Sequence, residues 1–161
     1  MGYAVKIIVL ALCFGILSVY LACGSKNPFS SAEDNTSPII FTSFRDGNGE
    51  IYLMSSTGMD LINLTNHPGH DTSPGWSPDK QQIVFASTRD SLSGSNLYIM
   101  NANGSNVSQL THLPGQIFGA DWSPDGHKIA FSNTFDILTI HADGSNLMYV
   151  TKDSLTDDST P

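Results

Sequence analysis

One segment of this chain is written almost three times, and that constrains its fold more than any other feature. Trp76-Ser77-Pro78-Asp79 returns as Trp122-Ser123-Pro124-Asp125, 46 positions further on. At the same offset Ile51-Tyr52-Leu53-Met54 becomes Leu97-Tyr98-Ile99-Met100, Leu64-Thr65 becomes Leu110-Thr111 and Pro68-Gly69 becomes Pro114-Gly115. A shortened third copy holds Ile129-Ala130-Phe131, Ile137-Leu138-Thr139-Ile140, Ala142-Asp143-Gly144-Ser145-Asn146 and Val150-Thr151. There the offset from Leu97 to Ile137 falls to 40, and the loss lies in one hairpin. Self-similarity at this period marks a supersecondary unit that cannot bury its apolar surface alone and must stack on its neighbours.

Each unit reads as four β segments. A short strand leads to the tryptophan, at about 73–76 and 119–122, and Ser-Pro-Asp then supplies a tight turn, with proline fixing φ and aspartate bonding its own backbone. The β-rich runs Ile39-Ile40-Phe41, Ile83-Val84-Phe85 and Ile129-Ala130-Phe131 follow. Loops carrying Arg45-Asp46-Gly47-Asn48-Gly49 and Arg89-Asp90-Ser91 close the next hairpin, and after the third strand Asn103-Gly104 and Asp143-Gly144 are two-residue hairpin signals. The fourth segment has apolar residues three apart, at Leu61 and Leu64, Val107 and Leu110, Leu147 and Val150, which predicts a short, irregular edge strand. Helical periodicity is missing from residue 23 onwards, and 14 glycines and 8 prolines suit a turn-rich β chain.

Tandem four-stranded antiparallel units of 40–46 residues predict an all-β fold, a β-propeller of which about three blades are present, with tryptophans and phenylalanines filling the layers between blades. The stretch from Phe85 to Asp125, with Arg89-Asp90, Leu97-Tyr98-Ile99-Met100-Asn101-Ala102, Gly104-Ser105-Asn106, Leu110-Thr111 and Trp122-Ser123-Pro124-Asp125-Gly126, resembles the TolB-type propeller repeat. The resemblance covers residues 37–161, in repeats of about 37–71, 72–117 and 118–157. Lys80 replaces the glycine in one copy and the third copy lacks the Arg-Asp hairpin, so those blades should be the less regular ones. The first copy begins at its second strand, and Asp158-Ser159-Thr160-Pro161 reads like the start of another Asp71-Thr72-Ser73-Pro74. Three blades are fewer than a closed propeller uses. A piece of a longer propeller, closure by pairing with other copies through open blade edges, and an open arc are the alternatives at this point.

The N-terminus is an address. Lys6 precedes an apolar run from Ile7 to Ala22, shorter than the roughly 20 residues a membrane-spanning helix needs, so residues 1–22 read as a signal peptide. Val19-Tyr20-Leu21-Ala22 followed by Cys23 resembles a bacterial lipoprotein cleavage site, although Tyr20 and Leu21 depart from its usual residues. That resemblance implies lipidation of Cys23, with residues 23–36 as a tether or linker; secretion with cleavage nearby and an uncleaved anchor are the other readings. Cys13 would leave with the leader, so no disulfide framework is expected.

Candidate chemistry is sparse. His67-Pro68-Gly69-His70-Asp71 gathers metal-ligand types, but the second copy has Leu113-Pro114-Gly115-Gln116-Ile117 there, so a turn with Asp71 in a structural hydrogen bond is expected and no metal. Arg45-Asp46 and Arg89-Asp90 read as local turn bonding and solvated ion pairs before a ligand-facing ring. Asp46-Gly47-Asn48-Gly49-Glu50 has oxygens but not calcium-loop spacing. Neither a Gly-x-Ser-x-Gly elbow nor a phosphate-loop lysine occurs, so no catalytic residue and no cofactor is expected. A net charge of −8, one unit more negative once Lys6 is removed, disfavours nucleic acid. Asn35, Asn63, Asn103 and Asn106 head glycosylation sequons, read as turn and strand residues in a bacterial protein.

The expected function is therefore non-enzymatic: an exported cell-envelope lipoprotein, outer-membrane-anchored and facing the periplasm or the cell surface, whose blades form a scaffold for envelope proteins, as the TolB resemblance implies. The alternative is the propeller portion of a larger hydrolase or glycan-processing protein.

Overall fold

In a computed structural model, residues 37–90 and 94–151 are described. The leader, Cys23, the tether, the sequon at Asn35, Ser91 and the segment 158–161 lie outside the described residues. Among those described, all regular structure is β. The first sheet joins β1 (Ile39–Ser43), β2 (Glu50–Met54) and β3 (Ile62–Asn63). The second joins β4 (Asp71–Trp76), β5 (Gln82–Ser87), β6 (Asn96–Asn101) and β7 (Ser108–Gln109). The third joins β8 (Phe118–Trp122), β9 (Lys128–Ser132), β10 (Ile137–His141) and β11 (Met148–Tyr149). Neighbours are consecutive in sequence and antiparallel throughout, and the register repeats, with Ile83 opposite Met100 and Ile129 opposite Ile140. These are three blades of an incomplete propeller, and among the described residues the first sheet shows no counterpart of β4 and β8.

Stacking explains the sequence pattern. β4 packs against both β1 and β8, so the second sheet lies between the other two. Its β5 and β6 are buried on both faces, which is why Ile83-Val84-Phe85-Ala86 and Leu97-Tyr98-Ile99-Met100 read as continuous apolar runs. Alternate residues divide between two cores. Val84, Ala86, Leu97 and Ile99 meet Trp122, Ile129, Phe131, Leu138 and Ile140 of the third sheet. Ile83, Phe85, Tyr98 and Met100 meet Ile51 of the first, with Ile40, Leu64 and Trp76 alongside. The third sheet has one neighbour among the described residues, and its β9 alternates, with Ile129 and Phe131 buried but Lys128 and Ala130 exposed. Trp122 also donates its indole N–H to the Gly75 carbonyl across the blade boundary (3.3 Å).

Two devices recur at the same place from copy to copy. Threonine pins the edge strand: Thr65, Thr111 and Thr151 each accept, through Oγ1, the amide of Ile51, Leu97 and Ile137 at 3.0, 2.9 and 2.8 Å. Ser-Pro-Asp forms the same turn twice, with Ser77 and Ser123 hydroxyls donating to Asp79 and Asp125 at 2.6 Å. Lys80, expected to make its copy irregular, instead takes the left-handed conformation of Gly126 (φ 59° against 73°), and both amides bond the serine carbonyl at 2.9 Å.

Three expectations are corrected. Phe85 and Phe131 fill inter-blade cores, but Phe44, Phe118 and Phe135 are 63, 56 and 77 % exposed, because each sits at the ends of the strands, beyond the stacked part of the sheets. The Asn103-Gly104 hairpin has three loop residues where two were expected: Asn101 N–H bonds the Ser105 carbonyl (2.8 Å) and Gly104, at φ 82°, bonds back to Asn101 (2.9 Å), with the same pattern at His141, Gly144 and Ser145. The third is the arginine pairing, described next.

Candidate functional site

Antiparallel order puts the β1–β2, β5–β6 and β9–β10 hairpins and the β3–β4 and β7–β8 connections at one end of the strands. The polar residues singled out in the sequence, apart from the Ser-Pro-Asp turns and the sequons at Asn103 and Asn106, gather at this end.

Arg89 does not pair with its neighbour Asp90. Its Nη2 reaches Asp71 Oδ2 on the adjacent strand at 2.8 Å, with side chains 12 % and 0 % exposed, so the pair is buried where a solvated one was expected. The reason is geometric: β4 and β5 pair Asp71 with Ser87, and Ser87 Oγ accepts the Arg89 Nε–H at 2.9 Å, aiming the guanidinium back along the sheet. It lies over the Phe85 and Tyr98 rings, 5.2 and 5.0 Å from their centroids. Asp90 instead accepts the Tyr98 hydroxyl at 2.7 Å. Burial raises the Asp71 carboxyl above its usual range, opposed by the Ser87 hydroxyl and by Arg89. Burial, followed by the Asp90 contact, also pushes the Tyr98 phenol upward, so it stays protonated and donating.

The first copy repeats this with one part missing. Arg45 Nε donates to Ser43 Oγ at 2.9 Å and the guanidinium lies 4.5 Å from the Tyr52 centroid and 6.0 Å from that of Phe41. Tyr52 donates to Asp46, and that bond is the first cause of its raised phenol pKa. Arg45 is exposed, and among the described residues no carboxylate pairs with it as Asp71 pairs with Arg89.

The His-rich spot is committed to backbone. His67 Nδ1 accepts the Gly69 amide and His70 Nδ1 accepts the Gly49 amide, both at 3.0 Å, so each ring is held as a hydrogen-bond acceptor. Glu50, nearly fully buried, accepts from Asn48 Nδ2 (2.9 Å), the His67 amide (3.0 Å) and the Thr65 hydroxyl (2.5 Å), and Asn48 also donates to the His67 and Gly69 carbonyls. Asn48 and Glu50 thus bond each other and the β3–β4 connection, and Asp46 accepts from Tyr52 and Asn63. No set of three metal-ligating side chains converges among the described residues. At the sequons, Asn63 Oδ1 accepts the Thr65 and Asn66 amides at 3.1 Å, Asn103 Oδ1 accepts the Ser105 hydroxyl at 2.7 Å, and Asn106 takes φ 57°.

This end also offers apolar surface to solvent. Phe44, whose ring lies 6.3 Å from that of His70, and Phe118 and Phe135 of the third sheet present large exposed rings, and Asn133 Oδ1 holds the Phe135 loop by accepting the Phe135 and Asp136 amides at 2.9 and 2.7 Å. Sequence reasoning missed them because their side-chain type suggests core. The available signal was position: Phe44 and Phe135 fall in hairpin loops, outside the alternating runs.

Residues 26–161 match the TolB beta propeller domain family. Over 41 residues, 26 % of this chain and 9 % of the relative, the chain is 42 % identical to the Tol-Pal system protein TolB of Nitratidesulfovibrio vulgaris. Among solved structures it is similar to a putative TolB from Agrobacterium tumefaciens, with a TM-score of 0.62 and 29 % identity over 71 % of this chain and 42 % of that one. A dipeptidyl peptidase 4 from Porphyromonas gingivalis, at TM-score 0.59 and 16 % identity over 76 % of this chain and 18 % of that one, shares the fold alone. The chain thus spans less than half the length of each of these relatives.

Proposed function

Because the chain belongs to the TolB beta propeller family, we propose that it is a non-enzymatic protein-interaction scaffold of the bacterial cell envelope. In this reading residues 1–22 direct export, Cys23 carries the lipid that holds the protein to the outer membrane, residues 23–36 are the tether, and residues 37–161 engage envelope proteins from the periplasmic or cell-surface side. One observation carries the recognition part: Phe44, Phe118 and Phe135 stand exposed at the loop end, Phe44 beside the hydrogen-bonded segments 48–50 and 67–70 and Phe135 in a loop held by Asn133 Oδ1. Large aromatic rings held on rigid loops bring contact area at little entropic cost, which is what anchors protein interfaces.

The test is site-specific photo-cross-linking in cells, with the photoreactive residue placed at position 44 or 135 of the full chain and, as a control, at exposed position 79 in a Ser-Pro-Asp turn. Discrete adducts from positions 44 and 135, stronger than from 79, are expected. Equal or absent adducts at all three, or turnover of peptide or glycan substrates by the full chain, would favour the hydrolase alternative. For the anchor, Cys23→Ser should move the protein from the membrane fraction to the soluble one.

A further inference from the structure

We infer that His67 and His70 make the β3–β4 connection a release that works in mild acid, loosening the loop end on which Phe44 is presented. The inference rests on the scaffold reading above and adds how its recognition surface is regulated.

The two imidazoles do the same job. His67 Nδ1 accepts the Gly69 amide and His70 Nδ1 accepts the Gly49 amide, both at 3.0 Å, so the proton of each neutral ring is on Nε2. The first bond shapes the connection itself, and the second ties it to the β1–β2 hairpin. A protonated imidazole has two donors and no acceptor, so charging either ring breaks its bond and sets an N–H against the amide it had accepted. Imidazole is the side chain whose charge changes between about pH 5 and 8. His70 is exposed and His67 half-buried, so protons reach both. Both bonds exist with neutral rings and are lost with charged ones, so the connection is held at neutral pH and freed as pH falls.

The charged groups around the connection are engaged elsewhere. On the β1–β2 side Glu50 accepts from Asn48, the Thr65 hydroxyl and the His67 amide, Asp46 accepts from Tyr52 and Asn63, and Arg45 lies over the Tyr52 ring. On the β4–β5 side Asp71 pairs with Arg89, and Asp90 accepts the Tyr98 hydroxyl. Among the described residues no carboxylate forms an ion pair with either ring, so the charged form gains no partner in place of the lost amide. What is freed touches the recognition surface. The His70 and Phe44 rings are 6.3 Å apart, and a Cβ on Gly49 would fall 3.3 Å from the Phe44 ring. The second connection lacks the device: Leu113 and Gln116 replace the histidines, and the Leu113 and Ile117 amides bond Asn96 Oδ1 and Ser95 Oγ at 2.8 Å, acceptors that do not titrate.

The test is amide solvent exchange by NMR on the isotope-labelled full chain in mild detergent, at about pH 7 and about pH 5, the span in which imidazole charges. In acid Gly49 and Gly69 should lose about tenfold of their protection, the loss of one hydrogen bond each, while Leu113 and Ile117 keep theirs. His67→Asn/His70→Asn puts an uncharged acceptor where each Nδ1 stood, and in that variant both glycine amides should be as protected in acid as at neutral pH. Photo-cross-linking from position 44 in isolated envelopes should follow the same course, its yield falling in acid with the histidines present and holding with the asparagines, against a steady yield from position 135. Glycine protection that ignores pH, that falls alike in the asparagine variant, or that falls together with Leu113 and Ile117 would overturn the inference, as would position-44 adducts that persist in acid while the two amides are released. Absence of position-44 adducts at both pH values would count against the scaffold reading instead, and the amide exchange would still decide the connection.

Discussion

At the scale of single residues, the third repeat shows how the buried ion pair can be dispensed with. Where the second copy has Asp71 and Arg89, the third has Ile117, buried within the inter-blade core, and no arginine. The charges are therefore one of two solutions to the same packing problem, and they leave together. Arg89→Ala should lower unfolding free energy by about 3 kcal/mol by stranding Asp71 in the interior, whereas Asp71→Ile/Arg89→Met should recover most of the loss; urea titration of both variants decides. Exposed aspartates act differently. The serine hydroxyls beside Asp79, Asp125 and Asp143 hold these carboxyls below their ordinary value of 3.8. Each gives up its proton more readily folded than unfolded, so its contribution is complete above 3.8 and drains away as pH falls through the lowered native value. The triple variant Asp79→Asn/Asp125→Asn/Asp143→Asn should be less stable than the parent at neutral pH, with the gap closing in acid. A gap independent of pH would contradict this. The ion pair itself was not legible from the sequence, because adjacency pointed to Asp90 and only the β4–β5 register reveals Asp71 as the partner. Asp71 as a structural residue was legible, because the repeat showed its loop working with other residues.

At the scale of the element, turns are the most conservative part of the unit. The Ser-Pro-Asp turn keeps its hydrogen bonds and its left-handed fourth residue even where glycine has become Lys80. An L-residue there costs roughly 1–2 kcal/mol, offset in part by the Lys80 ammonium 5.6 Å from the Trp76 ring centroid. Lys80→Gly should therefore raise the thermal midpoint by a few degrees, corresponding to about 0.5–1 kcal/mol, and a fall would show that the ring contact dominates. Strands were legible in the sequence because β-branched and aromatic runs recur between turn signals, and the irregular edge strands were legible from apolar residues three apart. Hairpin length was not. Asn-Gly signals a tight turn, but whether it closes over two residues or three depends on which flanking pair bonds, here Asn101 with Ser105.

At the scale of the whole molecule, the repeat was sufficient to fix a stack of sheets, since no single blade of this sequence can dry both of its faces. It could not show which phenylalanines leave the stack, because exposure at the loop end is set by where each sheet stops rather than by residue type. The central claim is that the second sheet is enclosed on both sides, with neighbouring residues facing different cores: Val84 towards the third sheet and Phe85 towards the first. Val84→Asp and Phe85→Asp, compared by urea unfolding, test it directly. Both should lose about 3 kcal/mol or more, since each places a carboxylate in a dry core. If either variant unfolds at the urea concentration of the parent, one face of that sheet meets water and the stacked arrangement is wrong.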